Sequence, residues 1–267
     1  MAPGALADGA KPLATGAPAL SIHEQAERGF ARAADAYERG RPDYPSAATR
    51  WLAERLELGP GRAVLDVGAG TGKLTRALLP CEAQLIAVEP VAEMRAVLER
   101  QVPQARALAG RAQDIPLADG SVDAIVAGQA FHWFASAQAL KEFHRVLRPE
   151  GRLGLIWNRR DSGQPLQQAI DRIITPHRGS TPAYHSDSWR QAFRDSPLFT
   201  PLAEEDVPFE QAVDREQFVD RVLSISFISA LPEDERRRVR TALEEVAERE
   251  LEPLRYRCQV FVYQRED

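Results

Sequence analysis

The chain has 267 residues, which corresponds to one large or two small domains at about 150 residues per domain. Apolar residues make up 44% and charged residues 27%, a composition typical of globular proteins that excludes collagen, a coiled coil and wholesale disorder. The net charge of −5, from 34 basic and 39 acidic residues, argues against a dedicated nucleic-acid binder, because such proteins usually carry a basic excess.

The N-terminal 60 residues predict a tail followed by a helical cap. Residues 1–20 are mostly Ala, Gly and Pro, and such a segment buries too little apolar surface to offset its ordering entropy, so we expect a disordered tail. A helical cap is predicted over 21–60, with one helix through 24–37 and a second around Trp51–Leu58. Between them, the prolines of 41–45 disfavour helix and predict an extended elbow.

Residues 61–158 alternate between short apolar segments and amphipathic helical segments. Continuous apolar strands separated by such helices are typical of a parallel sheet that is covered on both faces. We therefore expect an α/β core with a parallel sheet over 61–158. The predicted strands lie at 63–67, 84–89, 105–109, 122–126 and 152–157.

The pattern changes after Trp157. Residues 159–200 are polar and irregular, and helices are predicted at 214–228 and 232–251, so 159–250 is interpreted as a lid or insertion with helices. The segment 251–267 alternates with period two around Tyr256–Tyr263, which predicts an antiparallel strand that completes the core sheet.

The cysteine content and the hydropathy pattern bear on location. Two cysteines, Cys81 and Cys258, cannot form a disulfide framework or a Cys-rich metal site, so a reduced, cytoplasmic setting is expected. We see no signal peptide, and the longest uncharged stretch, 124–140, is too short and too polar to span a bilayer. Neither a membrane nor a nucleic acid is therefore an expected partner.

The most informative segment runs from Val64 to Gly72 and reads Val-Leu-Asp-Val-Gly-Ala-Gly-Thr-Gly. Its glycines allow a tight turn that brings a ligand close to amides at a helix N-terminus. A P-loop would require glycine at Val67 and Ser or Thr at Leu74. A dinucleotide-binding loop would require G-x-G-x-x-G, and here the third glycine comes one residue early, although Glu89 follows near the expected acidic position.

A third interpretation matches more of the chain. Asp66-x-Gly-x-Gly-x-Gly72 resembles motif I of class I S-adenosylmethionine-dependent methyltransferases, and the segments 114–123 and 143–153 resemble the family's passages into its fourth and fifth strands. The resemblance covers about half of the chain, from about 27 to 158. It implies a Rossmann-like α/β fold with the cofactor-binding core at 61–158, a mostly parallel seven-stranded sheet with an antiparallel C-terminal strand, and a helical lid. It also implies S-adenosyl-L-methionine as cofactor and S-adenosyl-L-homocysteine as product.

Two further segments, 37–45 and Phe131-His-Trp-Phe134, resemble the branch of trans-aconitate-type and other small-molecule methyltransferases of the type 11-like group. That resemblance implies that Tyr37 and Arg41 approach the cofactor carboxylate and that Glu89 takes the ribose hydroxyls. The cofactor-binding residues implied in this way are Tyr37, Arg41, Asp66, Gly68, Ala69, Gly70, Thr71, Gly72, Glu89, Pro90, Met94, Ala112, Gln113 and Gln129.

Several of these roles have a structural alternative. Asp66 could contact the cofactor or only brace the glycine loop, Met94 could cover the adenine or belong to the core, and Lys73 could reach the cofactor or point to solvent. The chain also departs from the family twice. Arg111 stands where many relatives have an acidic residue, so we expect Ala112 and Gln113 to hold the adenine, and Glu150 replaces a common glycine.

Ligands of open α/β sheets bind at the carboxyl ends of the strands, which predicts a site around 129–134 and 157–158. His132 is a candidate general base or orienting residue, with a hydrogen-bonded wall residue as the alternative. A metal site is not expected, because His177 and His185 lack a convincing ligand partner. The predicted substrate-binding residues are Phe30, His132, Trp133, Trp157, Asn158, His185 and Trp189.

The sequence therefore predicts an enzyme that moves a methyl group from the cofactor to a small-molecule acceptor by in-line displacement. Its aromatic residues suit an apolar or aromatic acceptor, while O-, N- and C-methylation, the acceptor itself and the oligomeric state stay open. The alternatives are an NAD(P)-dependent oxidoreductase with a Rossmann domain and a cofactor-binding protein without turnover.

Overall fold

The computed structural model describes residues 40–179, 188–249 and 251–267. The predicted tail over 1–20 and the part of the predicted cap over 21–39 lie outside the described residues. Residues 42–45 form no helix or strand, Pro45 has an extended backbone, and helix α1 (Ser46–Arg55) begins directly after it. Its buried face, which includes Ala48 and Leu52, packs against the sheet.

A seven-stranded sheet forms the centre of the fold, with the strand order β3-β2-β1-β4-β5-β7-β6. The first five strands in this order are parallel, and β7 runs antiparallel between β5 and β6. The predicted fold class is therefore confirmed. The strands are β1 (Ala63–Val67), β2 (Gln84–Val88), β3 (Arg106–Leu108), β4 (Val122–Gly128), β5 (Leu147–Arg160), β6 (Phe199–Gln211) and β7 (Leu254–Arg265).

Helices cover both faces of the sheet and build a separate apolar cluster beyond it. No helix of the described residues is long and apolar enough to cross a membrane. The remaining helices are α2 (Lys73–Ala77), α3 (Ala92–Gln101), α4 (Phe131–Phe134), α5 (Ala137–Val146), α6 (Pro165–Ile174), α7 (Gln191–Arg194), α8 (Arg215–Leu223), α9 (Ser226–Ser229) and α10 (Glu233–Arg249).

Strand β6 lies inside the segment that the sequence predicts as a lid, and its hydropathy pattern does not reveal it. It is an edge strand paired only with β7 in the described sheet, and most of its residues are exposed or half-exposed. An edge strand tolerates charged residues and prolines such as Pro201 and Pro208, because one side of its backbone needs no partner. The apolar alternation that marks a buried strand is therefore absent.

Helices α6, α8 and α10, which lie in the segment predicted as a lid and are called the lid helices below, bury their apolar faces against one another and against Leu254 and Tyr256 of β7. Tyr256 lies opposite Arg160, the last residue of β5. This cluster therefore sits at the carboxyl end of β5, on the edge of the sheet where ligands of α/β folds bind.

Glu150 adopts a positive φ of 61° where β5 begins, in the left-handed region that favours glycine. We expect E150G to raise the free energy of unfolding by about 0.5–1 kcal/mol, because an exposed glutamate has no side-chain role here that would offset the backbone cost. Urea denaturation of the two proteins measures the difference. An unchanged or lower unfolding midpoint would show that Glu150 is not strained.

Candidate active site

The loop after β1 turns through three glycines with positive φ, namely Gly68 (69°), Gly70 (58°) and Gly72 (88°). The amides of Gly68 and Ala69 donate to the carbonyl oxygen of Val88 over 2.9 and 3.2 Å, which ties the loop to the end of β2. A Cβ on Gly68 would lie 3.0 Å from Ala130 Cβ and 3.1 Å from a ring carbon of Phe134. The loop therefore needs glycine both for its φ and for its close approach to α4.

Glu89 follows β2 and presents a buried carboxylate beside this loop, since only 6% of the residue is exposed. Its Oε2 accepts the amide N–H of Gly70 over 2.8 Å, and its Oε1 accepts that of Val91 over 2.9 Å. Arg95 holds the backbone of the same residue by donating to its carbonyl oxygen over 2.8 Å. A buried carboxylate is a strong acceptor for hydroxyl donors, and Glu89 therefore places such a group directly beside the glycine loop.

Asp66 lies within β1 and is 2% exposed. Thr75 Oγ1 of α2 donates to its Oδ2 over 2.7 Å, whereas its Oδ1 is buried without a hydrogen-bond partner in the described part of the chain. Burial and the nearby charge of Glu89 raise the pKa of Asp66 to about 7, although the hydrogen bond from Thr75 acts to lower it. Asp66 thus braces the start of α2 with one oxygen and leaves the other for a ligand donor.

Asp43 fastens the extended elbow to the helix that follows the glycine loop. Its Oδ1 lies 3.0 Å from Lys73 Nζ and 2.9 Å from an Nη of Arg76. Although partial burial alone would raise it, the charges and hydrogen bonds of Lys73 and Arg76 lower the pKa of Asp43. Lys73 is only 11% exposed in this ion pair, so the solvent-facing alternative is wrong. Asp43 is not among the site residues predicted from the sequence, although it lies between the two prolines of the elbow.

The elbow also contacts β5 and the lid. Asn158 Nδ2 donates to the carbonyl oxygen of Asp43 over 3.2 Å. Arg41 donates from Nη2 to the carbonyl oxygen of Ser224 over 3.3 Å, which links the elbow to the end of α8. Tyr37, the other residue expected near the cofactor carboxylate, lies outside the described residues.

Gln129 directly follows β4 and adopts a conformation that is rare for residues other than glycine, with a φ of 58°. Its amide donates to the carbonyl oxygen of Ile156 over 2.9 Å, and its side-chain Nε2 donates to that of Asn158 over 3.3 Å. Backbone strain of this kind clusters at functional sites. It brings the ends of β4 and β5 together where the sequence predicts the site.

His132, in α4, is hydrogen-bonded to Trp157. The Trp157 indole N–H donates to His132 Nδ1 over 3.3 Å, and an indole can only donate, so Nδ1 carries the lone pair. The neutral ring therefore carries its proton on Nε2, which makes His132 a hydrogen-bond donor. A general base needs a lone pair that can accept a proton, and the lone pair on Nδ1 already accepts the Trp157 N–H. This geometry therefore favours the orienting role over that of a general base. The ring also lies against the half-buried Trp133, with centroids 5.2 Å apart.

Two substitutions at His132 separate this role from simple packing. Asparagine can present an oxygen near the position of Nδ1, whereas phenylalanine removes the acceptor for the Trp157 indole. We expect H132N to stay within about 0.5 kcal/mol of the wild type and H132F to lose about 1–2 kcal/mol of unfolding free energy. Denaturant unfolding followed by tryptophan fluorescence measures both. Equal stability of the two variants would contradict the assigned hydrogen bond.

The structure places two of the predicted substrate residues in the core rather than at the mouth of the site. Trp157 and Trp189 are 0% and 1% exposed, with ring centroids 4.9 Å apart, and they pack with Phe131 and Phe261. Trp157 can still act through His132, which it orients, but neither indole lines an open surface. Phe30 and His185 lie outside the described residues.

The residues expected near the adenine follow the ends of β2 and β3. Residues 111–114 form a tight turn in which the amide of Asp114 donates to the carbonyl oxygen of Arg111 over 3.0 Å. Within it, Ala112 is 5% exposed and Gln113 is half-buried. Met94 is 3% exposed and its Sδ would lie 3.6 Å from a Cβ on Gly70. Thr71 is buried and Pro90 is exposed.

Comparison with known proteins agrees with this arrangement. Residues 65–155 match the family described as "Methyltransferase domain". The chain is 38% identical over 212 residues to an uncharacterised methyltransferase-like protein of Schizosaccharomyces pombe, covering 79% of this chain and 82% of the relative. The chain belongs to the class I S-adenosylmethionine-dependent methyltransferases.

Other relatives of this methyltransferase are consistent with that family. An uncharacterised methyltransferase of Mycobacterium bovis is 44% identical over 172 residues, which is 60% of this chain and 69% of the relative. A malonyl-[acyl-carrier protein] O-methyltransferase of Laribacter hongkongensis is 38% identical over 162 residues, 54% of each chain. The solved structure of a provisionally assigned type II methyltransferase from Anaeromyxobacter dehalogenans shares the fold, with a TM-score of 0.63, 24% identity, and coverage of 85% of this chain and 97% of that one.

Proposed function

We propose that this methyltransferase binds S-adenosyl-L-methionine at the glycine loop and methylates a small-molecule acceptor at the carboxyl edge of the sheet. The observation that carries the proposal is the buried pair of carboxylates there. The Glu89 carboxylate lies beside Gly70, and Asp66 Oδ1 has no partner in the described chain, so the two carboxylates suit a ligand rich in donors.

Each part of the cofactor has residues of matching chemistry. Glu89 would accept the two ribose hydroxyls, Ala112 and Gln113 with Met94 would hold the adenine, and the unpartnered oxygen of Asp66 suits a donor of the methionine part. The remaining proposed contacts are Tyr37, Arg41, Gly68, Ala69, Gly70, Thr71, Gly72, Pro90 and Gln129.

The bound cofactor supplies an activated methyl group, so the protein's task is alignment and the exclusion of water. The strained Gln129 and the Trp157-oriented His132 fix the floor of the site at the ends of β4 and β5. Asn158, Trp133 and His132 are the proposed acceptor contacts, with Phe30 and His185 as further candidates. The O-methyltransferase among the relatives supports an oxygen acceptor, for which His132 Nε2–H would orient the group rather than deprotonate it.

The cofactor and the reaction are tested separately. Titration calorimetry with S-adenosylhomocysteine and with NAD should give binding of the former alone, and the reverse result would favour the oxidoreductase. Methyl transfer from labelled cofactor to a panel of acids, phenols and indoles should then label at least one small molecule. Cofactor binding without transfer to any acceptor would favour a binding protein, and transfer only to protein or RNA would contradict the proposal.

Two further features belong to this proposal. A cytoplasmic location is supported by the two cysteines, Cys81 and Cys258, which are both free. The proposed partner is the small-molecule acceptor alone, with neither nucleic acid nor membrane. No group of three His, Cys, Asp or Glu side chains within the described residues is arranged to hold a metal ion.

A further inference from the structure

Two arginines meet where the lid covers the carboxyl end of β5. Arg160 is the last residue of β5 and lies opposite Tyr256 of β7, so their side chains share one face of the sheet. Arg221, from lid helix α8, donates from Nε to the Tyr256 hydroxyl over 3.0 Å, and its guanidinium carbon lies 5.8 Å from the centre of that ring. Tyr256 is thus a neighbour of both arginines.

The positive charge of this pair is not fully compensated. Arg221 is 5% exposed, and its Nη1, like that of Arg160, is buried without a hydrogen-bond partner in the described chain. Asp171 lies 3.6 Å from Arg160 Nη2, beyond good hydrogen-bond range, and also accepts a 2.9 Å bond from Gln167. Burial and the charge of Arg221 lower the pKa of Arg160 to about 10, and Arg178 acts in the same direction.

Two neighbouring, largely buried guanidinium groups destabilise the folded protein unless an anion binds between them. A buried charge that is left without compensation destabilises a folded protein. Here both arginines neighbour the same tyrosine, and the Nη1 group of each is buried without a hydrogen-bond partner in the described chain. Both are donors with the planar geometry that fits a carboxylate.

The arginine pair also lies next to the proposed acceptor site. Asn158 and Arg160 are two residues apart in β5, so both point to the same face, about 7 Å apart along the strand. Asn158 accepts at its carbonyl from Gln129 and donates to the elbow. The elbow in turn reaches α8, because Arg41 donates to the carbonyl oxygen of Ser224 and a Cβ on Gly40 would lie 2.7 Å from Arg221 Cα.

We propose that Arg160 and Arg221 bind a carboxylate of the methyl acceptor, so that the enzyme selects acidic small molecules. This inference rests on the proposed function and names the substrate class of the same site. Arg221 from the lid and Arg160 from the sheet would close on the anion together. The lid is then fastened over the acceptor only when an acidic group is present.

The test uses the full chain and three variants. R221M and R160Q remove one charge each while keeping side-chain bulk. R215M is the matched control, because Arg215 lies on the same helix, is 55% exposed and pairs with Glu248 over 3.1 Å. Benzoate, cinnamate and glutarate are compared with their amides and with phenyl phosphate, all in the presence of saturating S-adenosylhomocysteine.

Thermal unfolding gives the first readout. The acids should raise the melting temperature of the wild type and of R215M, the amides should not, and the shift should disappear in R221M and shrink in R160Q. Without acid, R221M should unfold at or above the wild-type temperature, because an uncompensated buried charge has been removed. Equal shifts from acids and amides, or a wild-type response of R221M, would overturn the inference. A larger shift from phenyl phosphate than from any acid would overturn the carboxylate assignment.

Methyl transfer from labelled cofactor gives the second readout. For an acid that the wild type methylates, kcat/KM should fall at least tenfold in R221M, while the affinity for S-adenosylhomocysteine stays within about twofold. If R221M does not fold, R160Q decides, with a smaller loss expected for acids alone. Absence of S-adenosylhomocysteine binding or of transfer to every acceptor, with the acid-dependent thermal shifts intact, would contradict the proposed function but leave the anion site standing.

Discussion

Replacing Glu89 by glutamine should weaken S-adenosylhomocysteine binding by about 10²–10³-fold. The proposed ribose contact consists of two hydrogen bonds to a buried carboxylate, each worth about 1.5–3 kcal/mol, and about 1.4 kcal/mol corresponds to a factor of ten. Glutamine keeps the size of the side chain but offers one acceptor oxygen. Its NH₂ group would also face the amide N–H of Gly70 or Val91, both of which donate to the carboxylate.

Titration calorimetry measures this change, with E93Q as the matched control. Glu93 is an exposed glutamate in the first turn of α3, so its loss alters the charge near the same helix without touching the glycine loop. E93Q should bind within about twofold of the wild type. An E89Q affinity within about threefold of the wild type, in a protein of unchanged unfolding temperature, would remove Glu89 from the proposed cofactor site.

The parallel half of the sheet could be predicted because burial on both faces leaves a simple signature. Strand β1 is apolar at every position except Asp66, and all five of its residues are buried. The predicted bounds of β1 agree with the structure, and those of β2 differ by one residue. Strand β6 was not predictable in this way, since an exposed edge strand has no such run, and its place beside β7 is decided by pairing across more than 40 residues of chain.

The candidate site also has a part that local sequence predicts and a part that long-range packing determines. The glycine loop and Glu89 are separated by few residues and belong to one strand–helix–strand unit, so their proximity follows from local order. The sequence also gives the edge of the sheet at which 157–158 lie, but not which face each side chain takes. Trp157 faces the aromatic core while Asn158 faces the elbow, and Trp189 arrives from the lid segment. The Arg160–Arg221 pair depends on how the lid helices pack on the end of the sheet. The hydropathy pattern does not predict which residues face each other in that packing.

Asp66 should make the wild-type protein less stable as the pH rises from about 4 to about 7. Burial, followed by the charge of Glu89, raises the pKa of Asp66 to about 7 in the folded protein, whereas the unfolded chain has a value near 3.8. Between these pH values the folded state binds more protons than the unfolded state, so the free energy of unfolding contributed by this group falls with rising pH and levels off above 7. The full change corresponds to about 4 kcal/mol.

The D66N variant lacks this titration and should therefore gain on the wild type as the pH increases. The difference in unfolding free energy between D66N and wild type should grow from pH 4 to pH 7 and stay constant at pH 8, because the other carboxylates are common to both proteins.

Asp43 provides the control of opposite sign, since its ion pairs with Lys73 and Arg76 lower its pKa. D43N should lose stability at neutral pH by less than about 1 kcal/mol, as expected for a largely exposed carboxylate, and approach the wild type as the pH falls. Urea unfolding at four pH values measures both series, and a D66N difference that is flat from pH 4 to pH 8 would show that Asp66 ionises normally in the fold.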